Sequence, residues 1–193
     1  MPRTTINENP LIEYSKRNAN IKFYHSDFDK FTDTIKKLNT IAMDLAIEHN
    51  YTESRKYFLK TLEISPNDVV LLNNIGNLEK NDEQFIKAIK YYKESFRKSD
   101  SLYYVAALNL GQTYSIIGTN TEAERTFDKV IEITDIHFIN GVTYYYLADH
   151  FLKYGNINKG KNALSKASSF LEKYKGFERE LNEISEKLDN YNN

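Results

Sequence analysis

The sequence predicts an all-α solenoid, a stack of helix–turn–helix units closed by a C-terminal capping helix. Three observations carry this. Small residues recur at Ala42, Gly76, Gly111 and Ala148, at steps of 34, 35 and 37 residues. Each is followed twelve positions later by Ser54, Ala88, Ala123 or Gly160, and four positions after that by Phe58, Tyr92, Phe127 or Leu164. Only three Pro and seven Gly interrupt 193 residues, as suits long helices with short joints. A repeat of this length signals a stacked array, because one helix pair cannot bury both of its apolar faces.

Counting back from the small residues gives four units: 35–68, 69–103, 104–140 and 141–174. Unit one opens with Leu38, Ile41, Ala42 and Leu45 at i, i+3, i+4 and i+7, one apolar helical stripe. Phe58 and Leu62 continue on its second helix. Pro66 ends that helix, having no backbone donor and disfavouring helix in the residue before it. Asp68 is placed to cap the next helix.

Unit two runs through Leu72, Ile75 and Gly76, has Asn81-Asp82 as a turn and cap, and continues through Phe85, Ala88, Ile89, Tyr92 and Phe96. Unit three carries Ala107, Leu110, Gly111 and Tyr114. It breaks at Gly118, suited to the left-handed residue that ends a helix, then resumes with Ala123, Phe127, Val130 and Ile131. Unit four carries Tyr144, Leu147, Ala148 and Phe151, a joint at Gly155-Asn156, then Gly160, Leu164, Ala167 and Leu171. The small residues let the two helices of a pair approach closely, and the large ones fill the gaps beside them.

Residues 176–191 form the expected capping helix. Phe177, Leu181, Ile184 and Leu188 make one apolar stripe, opposite a face of Glu178, Glu180, Glu183, Glu186, Lys187 and Asp189. Residues 1–34 stand outside the repeat as an N-terminal extension. Ser26-Asp27-Phe28-Asp29 resembles a capping box, so a helix is expected from about 27, running through Phe31 and Ile35. Ile21-Lys22-Phe23-Tyr24 is apolar enough to dock on the first helix pair.

These positions resemble the tetratricopeptide repeat, whose signature runs Leu-Gly, Tyr, Ala, Phe and Pro over 34 residues. Unit three matches best, with Leu110, Gly111, Tyr114, Ala123 and Phe127. Unit two matches through Gly76, Ala88 and Tyr92. Unit one has Ala42 and Ser54 in the small positions but keeps Pro66. Unit four offers Ala148 and Gly160, and Tyr144 supplies the opening aromatic that the other units lack. The resemblance covers residues 35–174. It implies a right-handed superhelix whose first helices line a concave groove that takes a peptide or a helix of another protein.

The resemblance also implies which positions face the groove: the second, fifth, sixth, ninth, twelfth and thirteenth of each unit. These include Asn39 and Met43 in unit one, and Asn73, Asn74, Asn77 and Lys80 in unit two. Unit three contributes Asn109, Gln112 and Ser115, and unit four contributes Tyr145, Tyr146, Asp149 and Lys153. The amides Asn39, Asn73, Asn74, Asn77, Asn109 and Gln112 stand out. An amide carries both a donor and an acceptor, so a row of them can hold a peptide backbone with little regard for its side chains. Tyr145, Tyr146 and Met43 would give apolar selectivity. The competing readings are a merely solvated groove in an Asn-rich chain, and one tyrosine of the pair packed between units. The family members that clamp a C-terminal carboxylate use a pair of groove cations; that pair is missing from the matching positions here.

Composition excludes other classes. The chain has 27 acidic and 26 basic side chains, a net charge of −1, which argues against a nucleic-acid partner. There is no cysteine, so neither thiolate catalysis nor a cysteine-based zinc site exists. No segment has the apolar length for membrane insertion, and residues 1–8 lack the apolar core of a signal peptide. A cytoplasmic protein is expected. His25, His49, His137 and His150 show no metal-ligand spacing; His49 is read as ending a helix and His137 as lying at an inter-unit joint. No phosphate loop, dinucleotide fingerprint or nucleophile elbow occurs, so neither an enzyme nor a cofactor is expected. The functional expectation is a non-catalytic adaptor or chaperone-like module that binds a partner protein or peptide. The alternatives are a self-assembling structural protein, which would be a homo-oligomer, and a peptide-sensing regulatory receptor.

Overall fold

The computed structural model describes residues 30–174 and 176–190. Among them stand nine helices and no strand: α1 (Asp33–Ile47), α2 (Tyr51–Ile64), α3 (Val69–Asn81), α4 (Phe85–Lys98), α5 (Tyr104–Ile117), α6 (Asn120–Ile133), α7 (His137–Lys153), α8 (Ile157–Leu171) and α9 (Glu178–Asn190). The chain divides into two compact units, residues 1–66 and 67–193. The break falls where the first repeat gives way to the second.

The first unit contains the α1–α2 pair. α1 begins at Asp33, capped by the Thr32 hydroxyl, which accepts from the Ile35 N–H. The expected helix through Phe31 is therefore corrected: Thr32 is extended, with ψ at 155°, and breaks any continuation from upstream. The capping box at 26–29, the docking segment 21–24 and His25 lie outside the described residues. Ala42, Ser54 and Phe58 are buried, as the spacing requires. Ser54 replaces the usual alanine at no packing cost, because its hydroxyl donates to the Ala42 carbonyl at 2.6 Å. A buried hydroxyl with a partner avoids the desolvation penalty an orphan would carry.

The second unit stacks three pairs, α3–α4, α5–α6 and α7–α8, with α9 packed on α7 and α8. Its core rests on the small-to-large spacing. A Cβ added to Gly76 would stand 2.5 Å from a Tyr92 ring carbon, and one on Gly111 would stand 2.8 Å from Phe127. Each ring therefore occupies the place of the missing side chain, and both rings are fully buried. The Tyr92 phenol needs a partner in that core and finds it, donating to Asn77 Oδ1 at 2.8 Å; burial drives its pKa well above the usual range. The fourth pair uses the device differently. Leu164 is only half-buried, and the close approach moves to Gly141, where a Cβ would stand 2.6 Å from Leu171.

The capping helix behaves as its apolar stripe requires. Phe177, Ile184 and Leu188 are buried. Phe177 meets Phe138 edge-on at 5.6 Å, and Leu188 packs into the space left by Gly160.

The joints within the pairs share one geometry. His49, Glu83, Gly118 and Gly155 each follow a first helix and each has positive φ, at 61°, 56°, 82° and 73°. The next N–H closes back five residues in every case: Asn50 to Leu45, Gln84 to Glu79, Thr119 to Tyr114 and Asn156 to Phe151. This is the Schellman closure, which satisfies carbonyls that the helix end leaves open. Asp68 caps α3 through two backbone N–H groups, at 2.9 and 3.0 Å. The turn and cap expected at Asn81-Asp82 close α3, with Asp82 as its C-cap; α4 starts from Gln84, which makes no side-chain cap. His49 is likewise beyond the helix end, bonded to the Tyr51 hydroxyl at 2.7 Å. His137 lies inside α7 as its first residue, its ring against Phe170 at 5.4 Å.

Candidate partner-binding face

Among the first helices of the second unit, α5 touches both α3 and α7. Their polar side chains bond from pair to pair. Asn109 Nδ2 donates to Asn73 Oδ1 at 3.0 Å, joining α5 to α3. Lys80 Nζ donates to Gln112 Oε1 at 3.2 Å, again between α3 and α5. Gln112 also lies beside the Tyr146 phenol of α7, where it partly offsets the rise in that group's pKa.

A second set of links ties α5 to α7 near the ends of these helices. His150 is buried, and its Nδ1 stands 2.8 Å from Ser115 Oγ. Lys153 Nζ donates to the Ser115 and Ile116 carbonyls at 3.1 Å each, and the Tyr154 hydroxyl donates to Ser115 O at 2.7 Å. These donors satisfy carbonyls that the C-terminus of α5 cannot satisfy by itself.

The row of amides is therefore not uniform. Asn73 and Asn109 are buried and paired with each other. They act as a clasp between α3 and α5 and form the floor of the face. Asn77 is half-buried and accepts from Tyr92. Gln112, Tyr145 and Tyr146 are half-buried too, and Asp149 is exposed. The reachable groups lie above the clasp, on Asn77, Gln112, the two tyrosines and Asp149. Asn74 is half-buried. In the first unit, Asn39 is buried, its amide directed at Met43 Sδ at 3.3 Å, and Met43 is half-buried.

The tyrosine pair splits as packing demands. The rings of Tyr145 and Tyr146 meet edge-on at 5.4 Å. Tyr146 turns to Gln112; burial above all, with the neighbouring Tyr145 and Asp149, raises its pKa. Tyr145 feels burial first, then the carboxylates of Asp149 and of Glu183 on α9, all of which raise it. Neither phenol ionises near neutrality.

Lys80, Lys153 and Ser115 each bond from one first helix to the next. What one-dimensional reading missed is their pairing. The partners stand roughly one repeat apart, as Lys80 does from Gln112 and Ser115 from His150, and that offset was the available signal. Among the described residues, no group of three or more His, Asp or Glu side chains could hold a metal ion. No described helix is long and apolar enough to cross a membrane.

A family model described as the tetratricopeptide repeat matches residues 104–137, the α5–α6 pair and the joint after it. Among curated proteins, the chain is 27% identical over 104 residues to the mouse (Mus musculus) protein O-mannosyl-transferase TMTC3, a match covering 48% of this chain and 11% of that protein. It is 29% identical over 101 residues to the anaphase-promoting complex subunit CDC16 of Saccharomyces cerevisiae, covering 49% of this chain and 12% of that one. The matched part is thus a small fraction of either relative's length. Among solved structures, a double mutant of MamA RS-1 aligns with a TM-score of 0.61 at 15% identity, over 83% of this chain and 96% of that one. The complex Cut9-Hcn1 aligns at 0.64 and 13%, over 81% and 29%. PilW, a type IV pilus biogenesis factor, aligns at 0.58 and 14%, over 83% and 91%. These neighbours share the helical fold. The repeat spacing and the ring-over-glycine packing that realises it meet in the matched pair α5–α6: residues 104–137 are a tetratricopeptide repeat, and the helical solenoid around them is the fold of the tetratricopeptide-repeat neighbours.

Proposed function

We propose that the chain is a non-catalytic protein-interaction module, adaptor or chaperone-like, whose α3/α5/α7 face holds a segment of a partner protein. Tetratricopeptide-repeat proteins mediate protein–protein interaction and scaffolding, and the names of two neighbours place them in assemblies, Cut9-Hcn1 and the anaphase-promoting complex. The observation that carries the reading is the half-committed polar face. The Asn109–Asn73 bond uses one donor and one acceptor of two amides, and Asn77 and Gln112 lie half-buried beside it. A peptide backbone offers the N–H and C=O that such amides match. Each bond contributes about 0.5–1.5 kcal/mol net, so useful affinity needs several together. Tyr145 and Tyr146 would add apolar contact, and Asp149 a charged rim. The cytoplasm remains the proposed location, on the absence of cysteine.

Affinity capture from the native host, with mass spectrometry, tests this. A variant carrying Asn77→Ala and Gln112→Ala should lose the partner that the parent protein recovers. Undiminished recovery would refute this face as the binding site. The self-assembly reading draws on exposed Ile86, Ile116 and Ile117, which lie near the turns within the pairs. Light scattering over a range of concentrations separates the two; a strict monomer ends it.

A further inference from the structure

Lys80 is the one group on this face whose surroundings do not match its charge. It is half-buried on α3, and its ammonium meets a single polar group, the Gln112 carbonyl at 3.2 Å. Among the described residues it forms no ion pair. The other lysine of the face, Lys153, is occupied by two backbone carbonyls. Burial pulls Lys80 from 10.5 down to about 8. A desolvated ammonium with one neutral acceptor is costly to keep in a fold, and a counter-charge would relieve that cost.

We propose that Lys80, steadied by Gln112, is the point at which this face recognises a carboxylate, the side chain of an Asp or Glu in the bound partner segment. The inference rests on the interaction-module reading and names the chemistry of its ligand. A single cation suits a monoanion. A phosphate dianion would call for further cations that the face does not supply. Asn77, one turn before Lys80 on the same helix face, is placed to take the backbone next to that acidic residue. Binding would carry a pH signature. A carboxylate beside Lys80 favours the ammonium, so affinity is full between about 5, above which the partner's carboxyl is ionised, and about 8, and falls as the pH rises through the upper value and free Lys80 gives up its proton.

The probes are two blocked alanine peptides, one with a central glutamate and one with glutamine in its place. Nuclear magnetic resonance of the whole chain follows the Lys80 side-chain signals and the amides of Asn77 and Gln112. The glutamate peptide should bind about tenfold or more tightly than its twin at neutral pH, as a charge-assisted hydrogen bond implies. It should raise the Lys80 midpoint, and the preference should vanish in Lys80→Met. That variant removes the uncompensated charge and keeps an apolar stem, so it should be no less stable than the parent; a purely structural Lys80 would make it less stable and overturn the proposal. Equal binding of both peptides with an unmoved Lys80 midpoint would overturn the carboxylate inference and leave the face as a backbone site. Amide signals unmoved by either peptide would overturn both.

Discussion

Two sets of contacts in the second unit run at different sequence spacings. The apolar set joins residues within a pair: Gly76 lies under Tyr92 and Gly111 under Phe127. The polar set joins pairs to one another, as Asn73 does to Asn109, Lys80 to Gln112 and Ser115 to His150. The first set makes a hairpin from two amphipathic helices, and tolerates no change of volume. The second holds neighbouring hairpins in register, and leaves hydrogen-bonding capacity unused. A partner can therefore be recognised by the second set without disturbing the first.

That contrast can be broken at its strong end. Phe127→Ala empties a fully buried ring site and should cost about 3–5 kcal/mol in denaturant unfolding. A loss below about 1 kcal/mol would mean that the α5–α6 hairpin does not depend on this ring. Gly111→Ala should cost about 1–3 kcal/mol by overpacking, since the new Cβ meets the ring at 2.8 Å. Pairing it with Phe127→Leu should recover part of the loss.

The polar set should respond more weakly. Asn73→Ala and Asn109→Ala should each cost about 1–3 kcal/mol by leaving the other amide without its partner, and the double variant should cost less than their sum. Strict additivity would show that the bond contributes nothing. His150 makes the link between α5 and α7 pH-dependent. Burial, then Lys153 and Lys159, lower its pKa below 6.5, against the opposing pull of Glu124 and Asp149. The unfolded chain then binds more protons over the window below 6.5, so stability falls as pH drops through it. The melting temperature of His150→Gln should lose that slope.

The smallest expected effect lies in the joints. Glu83 occupies a left-handed conformation at φ 56°. Glu83→Gly should stabilise by about 0.5–1 kcal/mol, because glycine takes that conformation without strain.

These effects follow what the sequence could and could not reveal. Volume is written residue by residue, so Gly76, Gly111 and their aromatic partners were legible from spacing alone. So were Pro66, Asp68, Gly118 and the stripe of α9. The joints at His49 and Glu83 were not, because neither residue advertises positive φ; only their place in the repeat does. The start of α1 at Asp33 was not legible, because Thr32, which makes its cap, stands in no capping-box pattern. The face was legible as a set of positions but not as a set of bonds. Periodicity places Asn73 and Asn109 on one side of their helices, yet it carries no distance between helices. For that reason two of the amides expected to meet a ligand proved to be bonded to each other.

The central claim is that partners meet the α3/α5/α7 face. A photoreactive residue placed at exposed Asp149 on α7, compared with one at exposed Lys129 on α6, tests it most directly in the native host. The account predicts a partner cross-linked from position 149 and none from position 129. The same partner captured from 129 and absent from 149 would contradict it.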